Sequence, residues 1–180
     1  MNCIISAPAY TTARAAICYD EIAKRMIIPF KYNDRPEAAQ NLARLMQRPG
    51  QKLLQRADIL VPVPLHPDRL RQRRYNQALL LASALAKLTG KPLYRDALLR
   101  IRPTKPLEGL SAAARQRELD GAIALKAGAN IQGKHILLID DVLTTGTTAH
   151  RCAQALRDGG GSQVDVLTIA HVQDPRLLEN

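Results

Sequence analysis

Between residues 19 and 47 apolar and polar positions recur at helical spacing, broken at Pro29 and again between Asn33 and Pro36, which predicts two short helices. Residues 58–65, DILVPVPL, are too few and too β-branched for a helix, and their prolines suit a strand end, so a buried strand running into a loop is expected. Residues 75–88, YNQALLLASALAKL, have the Ala and Leu content of a packed helix, stopped by Gly90 and Pro92. Candidate strands at 97–101 and 122–125 bracket a polar, basic segment of roughly twenty residues, long enough to be functional rather than a simple turn. A strand at 135–139, a helix at 147–157 ended by GGG, and a strand at 164–170 complete the pattern. Strands alternating with helices imply an α/β fold, its mainly parallel sheet covered on both faces, with ligands gathering at the carboxyl ends of the strands.

Length and composition narrow this to a single domain: 180 residues, 46% hydrophobic, with a core drawn from Leu, Ile, Val and Ala because aromatic residues make only 3%. The net charge of +10 is local. Residues 66–120 hold twelve Lys and Arg against five Asp and Glu, so most of the field that would attract a polyanion lies there. Cys3, Cys18 and Cys152 are isolated, which rules out a zinc ribbon or disulfide framework assembled from them and suggests a reducing compartment. No apolar run approaches the roughly 20 residues that span a bilayer, so a cytoplasmic protein with no membrane partner is expected.

The chemistry concentrates in ILLIDDVLTTGTT, residues 136–148. If residues 136–139 form a central strand, Asp140 and Asp141 emerge at its carboxyl end and Thr144, Thr145, Gly146, Thr147 and Thr148 lead into a helix. The free amides of that first helical turn, the threonine hydroxyls and the helix dipole then make an anion cradle, and Gly146 lets backbone approach a ligand. Two carboxylates beside such a cradle would repel the anion unless they serve hydroxyls or a metal. A phosphorylated sugar satisfies both, its phosphate in the cradle and its diol on the acids. A Walker B strand needs a G-x-x-x-x-G-K-[ST] that the chain lacks, and GGGS at 159–162 follows a helix, where a dinucleotide loop would precede one.

ILLIDDVLTTGTT resembles the phosphoribosyl pyrophosphate (PRPP) motif of type I phosphoribosyltransferases. VPVPLHPDRLRQRRYNQALLLASALA, LSAAARQRELDGA and YDEIAKRMIIPFKY further resemble the ComF and GntX group associated with DNA-uptake competence. The resemblance implies a type I phosphoribosyltransferase-like fold with a small N-terminal hood over residues 1–57, a PRPP-binding α/β core over 58–180 and a flexible loop. It implies that Asp140 and Asp141 hold the ribose 2′ and 3′ hydroxyls and residues 144–148 the 5′-phosphate. Three departures stand out. The cysteine-rich ribbon with which that group usually begins is reduced to Cys3. Arg74 stands where the group has Gly, and Leu107 and Glu118 where it has Gln and Asn. Thr144 takes the place of the Asp with which the hypoxanthine and guanine enzymes handle the purine, which argues against 6-oxopurine salvage.

PRPP also carries a pyrophosphate. The resemblance assigns it to Leu65 and His66, with Arg69, Arg71 or Arg73 nearby, and implies Mg²⁺, which Asp140 and Asp141 would meet only through ribose hydroxyls or water. The segment IRPTKPLEGLSAAARQR fits a flap that excludes water from an oxocarbenium-like state, with Arg102 and Lys105 neutralising the departing pyrophosphate. Arg115 and Arg117 read as an exposed helix face. Two functions follow. One is transfer of phosphoribose to an unidentified nitrogen acceptor. The other is a non-catalytic protein that binds PRPP or nucleic acid and works with a competence or helicase-type partner; a homodimer is open in either case. The scarcity of aromatics disfavours a stacking platform for single strands.

Overall fold

A computed structural model describes residues 7–32, 35–102 and 121–173. Its elements are β1 (Thr12–Cys18), α1 (Glu21–Tyr32), α2 (Ala38–Gln47), α3 (Gln51–Arg56), β2 (Ile59–Pro62), α4 (Pro67–Arg73), α5 (Gln77–Thr89), β3 (Leu98–Arg100), β4 (Ile123–Leu125), β5 (His135–Leu143), α6 (Thr147–Asp158) and β6 (Gln163–His171). The central sheet runs β1-β6-β5-β2 with every pair parallel. Beyond β2, Leu60 bridges Leu93, its amide bonding the Pro92 carbonyl and its carbonyl the Tyr94 amide, each at 2.9 Å.

Strand alternation builds a core on each face. Leu60, Leu137, Ile139, Leu167 and Ile169 pack against α1, α2, α3 and α5. Ile59, Val61, Ile136, Leu138, Val164 and Val166 face α6 and the antiparallel β3–β4 pair. The α/β architecture expected from the sequence is the one observed. From β2 the chain crosses through α5 to the Leu93 edge, whereas from β5 it crosses through α6 to β6 on the other side. The carboxyl ends of β2 and β5 therefore flank a topological switch point, where open parallel sheets leave a crevice.

Three features depart from the pattern-based reading. No strand is expected before residue 58, yet β1 forms the edge of the sheet. Its half-buried sequence TARAAIC has neither an apolar run nor large side chains to announce it. Helix α1 runs through Pro29 rather than stopping there, and its last carbonyls are held by other elements: Tyr75 donates its hydroxyl to the Phe30 carbonyl at 2.8 Å and Gln77 its Nε2 to the Lys31 carbonyl at 3.3 Å. The expected loop after β2 is the short helix α4, with Pro67 in its first turn.

At the amino ends of the strands, Asp165 is fully buried and accepts from Arg56 Nε at 2.8 Å and from the Thr12 amide at 3.1 Å, while His135 Nε2 lies 2.6 Å away. This cluster fastens α3, β1, β5 and β6 together at the end of the sheet remote from the switch point.

Candidate functional site

The expected strand end at Ile139 is the end of only half the pairing. β2 leaves β5 at the Pro62–Ile139 pair, closed by a bond from the Val63 amide to the Ile139 carbonyl at 2.9 Å. β5 itself continues along β6, with Asp140 opposite Thr168 and Leu143 opposite His171. Asp140 and Asp141 thus lie on a strand supported on one side and open toward the crevice on the other. Each carboxylate bends back on the chain: Asp140 Oδ1 accepts from the Asp141 amide at 2.8 Å and Asp141 Oδ1 from the Val142 amide at 2.6 Å.

Cations from two other elements converge on the pair. Lys31, at the end of α1, places Nζ 3.1 Å from Asp141 Oδ2. Burial alone pulls the lysine down, but the Asp141 carboxylate and its hydrogen bond outweigh this and hold the ammonium above its ordinary value; Asp140 adds to the effect and Arg73 opposes it. Burial, then repulsion from Asp141, pushes the Asp140 carboxyl up to about 7, against the pull of the Asp141 amide, Lys31 and Arg100. Arg100, buried at the end of β3, acts on Asp140 through its charge. Cys152 on α6 feels the same two groups, but burial pushes its thiol far above the usual range, so it is an inert core residue.

The turn into α6 joins the end of β5 directly to a helix start. Gly146 adopts φ 76° immediately before the helix, a left-handed conformation natural to glycine. Gly146, at the N-cap position, has no side chain with which to cap the helix, and Thr145 Oγ1 and Thr147 Oγ1 lie 2.9 Å apart at its start. Thr144 and Thr148 are partly buried beside them. The N-terminal segment also reaches this turn. A Cβ added to Gly146 would lie 2.8 Å from the Tyr10 hydroxyl, and the Ala9 amide donates to His150 Nδ1 at 3.0 Å. Burial lowers the His150 pKa, with Arg151 adding to the effect, which keeps the imidazole the neutral acceptor this bond requires.

On the opposite lip, Leu65 and His66 join β2 to α4. The ring of His66, expected as a pyrophosphate contact, caps α4: Nδ1 accepts from the Asp68 amide at 3.2 Å. Arg71 is turned outward to pair with Asp68, and Arg69 is partly buried. Arg73 comes close enough for its charge to act on Lys31. Of the flap cations, Arg102 is exposed and Lys105 lies outside the described residues, as do Leu107, Arg115, Arg117 and Glu118.

Sequence reasoning missed Lys31, Arg100 and Tyr10 as neighbours of the acids and the glycine turn. It also missed the task of the YNQ stretch. Asn76 caps α5 by accepting from the Leu79 amide at 3.3 Å and donates to the Val63 carbonyl at 3.0 Å. Together with the Tyr75 and Gln77 bonds, this joins β2, α5 and α1 at the crevice. Among the described residues no group of three His, Cys, Asp or Glu could cage a metal. Two aspartates, one already paired with a lysine, fit an ion carried in by a diphosphate rather than a resident one, in keeping with the preference of Mg²⁺ for phosphate and water ligands. No helix among the described residues is long and apolar enough to cross a membrane.

Comparison with known proteins agrees with this geometry. Residues 77–179 match the phosphoribosyl transferase domain model. The DNA utilization protein YhgH of Salmonella typhimurium is 32% identical over 170 residues, covering 92% of this chain and 74% of its own length. Competence protein F of Haemophilus influenzae is 30% identical over 175 residues, covering 94% and 76%. Among solved structures, the allosteric regulatory enzyme of purine biosynthesis superposes with a TM-score of 0.51 at 24% identity, over 79% of this chain and 30% of that one, a likeness that speaks for the fold. With more than half its length matched by the domain model and itself aligned almost end to end with these relatives, the chain belongs to the phosphoribosyltransferase-domain family, in its branch of ComF-like competence and DNA-utilization proteins.

Proposed function

We propose that this protein binds PRPP in the crevice between β2 and β5 and transfers its phosphoribosyl group to a nitrogen acceptor in a process serving DNA uptake or use. The carrying observation is the adjacency of a helix amino terminus, with glycine at its N-cap, to a carboxylate pair that other elements supply with cations. Such an arrangement suits a monoester dianion joined to a diol and little else. In this reading residues 144–148 take the 5′-phosphate, Asp140 and Asp141 accept from the ribose hydroxyls, and Arg73 and Arg69 face the diphosphate, with Arg102 and Lys105 entering from the flap. The fixed cations offset charge on the departing diphosphate as the anomeric carbon becomes oxocarbenium-like. Asp140 and Asp141 would meet an Mg²⁺ ion only through ribose hydroxyls or water, and such an ion would add to the neutralisation of the diphosphate. The link to DNA rests on the names of the relatives and on the basic run of α4, which suits a phosphate backbone as well as a diphosphate.

The test is a thermal titration with PRPP and Mg²⁺, then with a short single-stranded oligonucleotide, at two salt concentrations. Stabilisation by PRPP that disappears in Asp140→Asn/Asp141→Asn is the expected result, followed by pyrophosphate release across a panel of nitrogen bases. An oligonucleotide effect with a steep salt slope and no response to PRPP would replace sugar binding with a nucleic-acid or partner role.

A further inference from the structure

Two adjacent carboxylates at a partly buried strand end need a positive charge nearby, and in metal-assisted sugar sites a divalent ion can provide it. Here the chain supplies its own. Lys31 Nζ stands 3.1 Å from Asp141 Oδ2, with the lysine side chain 17% and the aspartate 14% exposed, so water and salt screen the pair only weakly. The ammonium is delivered from an anchored backbone. Tyr75 and Gln77 bind the Phe30 and Lys31 carbonyls, and Asn76 between them binds the end of β2, so the last turn of α1 is joined to the crevice wall. Arg73 bears on the same lysine from α4, and Arg100 on Asp140 from β3. Lys31 lies outside residues 77–179, so the domain match assigns it nothing.

We propose that Lys31 is a positioning residue of the sugar subsite: an internal cation that neutralises Asp141 and lets the acid pair hold a ribose diol without a divalent metal ion. This rests on the ribose phosphate reading above and divides the ligand in two. The ribose 5-phosphate half is gripped by the protein alone, and Mg²⁺ is needed only by the diphosphate.

The probe is ribose 5-phosphate, which has the diol and the monoester but no diphosphate. Its affinity is measured by calorimetry on the full chain in EDTA and in millimolar Mg²⁺, for wild type, Lys31→Met and Lys31→Arg. Wild type binds equally in the two buffers, within about twofold. Lys31→Met loses about tenfold in EDTA, equivalent to about 1.4 kcal/mol, and recovers most of it in Mg²⁺, whereas Lys31→Arg stays close to wild type. A lysine that merely stabilised the fold would show no rescue by the metal. Wild-type binding that requires Mg²⁺, or a Met variant that binds like wild type in EDTA, overturns the proposal. If Lys31→Met fails to fold, the wild-type comparison and Lys31→Arg decide the matter. Ribose 5-phosphate that binds in neither buffer defeats the sugar site as well; binding that ignores Lys31 defeats this inference alone.

Discussion

Replacing the two adjacent aspartates one at a time should move stability in opposite directions. Asp140 has its carboxyl raised from 3.8 to about 7, so the folded protein holds a proton there that the unfolded chain has already released. Between those values the folded state binds more protons, and stability falls as pH rises through the window. A shift of about three units sets a ceiling of about 4 kcal/mol on the cost of ionising Asp140 at pH 8. Sharing of that charge with Asp141, Lys31 and Arg100, and the opening toward the crevice, reduce the expected gain from Asp140→Asn to about 1–2 kcal/mol, or about 2–8 °C in Tm for a chain of this size. Asp141→Asn does the reverse. It leaves the largely buried Lys31 without its carboxylate partner, at a cost of about 1–3 kcal/mol. Urea and thermal unfolding followed by circular dichroism at about pH 8 and pH 5 reads both effects, and the Asp140→Asn advantage should shrink toward pH 5 as wild-type Asp140 takes up its proton. Both variants should lose the shift induced by ribose 5-phosphate, so for Asp140→Asn stability rises while binding falls. The reasoning fails if Asp140→Asn is destabilised at pH 8, if the two variants move together, or if the gap widens in acid.

Other perturbations report on other parts of the same framework. Asp165→Asn removes the carboxylate shared by Arg56 and His135 and should cost about 3 kcal/mol in urea unfolding, with little effect on ligand affinity in whatever protein remains folded. Gly146→Ala forces a side chain onto a backbone at φ 76° and against the Tyr10 hydroxyl; ribose 5-phosphate affinity should drop about tenfold, and adding Tyr10→Phe should relieve the contact but not the backbone strain of about 1 kcal/mol. Arg74→Gly should raise stability by about 0.5–1 kcal/mol in the same unfolding assay, since Arg74 is the only non-glycine with positive φ among the described residues. Asn76→Ala should lose about 1–2 kcal/mol, because one side chain both caps α5 and satisfies the Val63 carbonyl; a loss under about 0.3 kcal/mol would refute that dual role.

Much of the fold was legible because it depends on local pattern. The apolar runs of β2, β5 and β6, buried on both faces, stand out against the amphipathic stretches around them, and Gly90 closes α5 in a left-handed turn where the sequence places a stop. β1 was not legible, since an edge strand of threonine, alanine and arginine gains its place from ladder bonds to β6 rather than from its own burial. α4 was masked by its charge: PDRLRQR reads as a polar loop until Pro67 and the His66 cap are seen to start a helix. Arg74 was legible in part, as the departure from glycine that the resemblance exposed, and its φ of 64° gives the physical reason glycine suits that position.

The site divides along the same line. A strand end, a glycine turn and a helix start follow from contiguous sequence, so the turn over residues 144–148 could be read directly. Charge compensation is a property of the folded volume. Lys31 reaches Asp141 only because α1 is clamped to the Tyr75–Gln77 stretch, and Arg100 reaches Asp140 only because β3 lies on the opposite face; no spacing in the sequence encodes either meeting. The sequence therefore shows two adjacent acids but not that they are unequal partners. The fold separates them, neutralising Asp141 with a lysine and leaving Asp140 to titrate near neutral pH. A ligand diol offered to such a pair meets one fixed acceptor and one whose charge follows the solution, so ribose 5-phosphate binding should carry, beside the titration of its own phosphate near about pH 6, a pH-dependent component from Asp140 that is missing in Asp140→Asn even where some affinity survives.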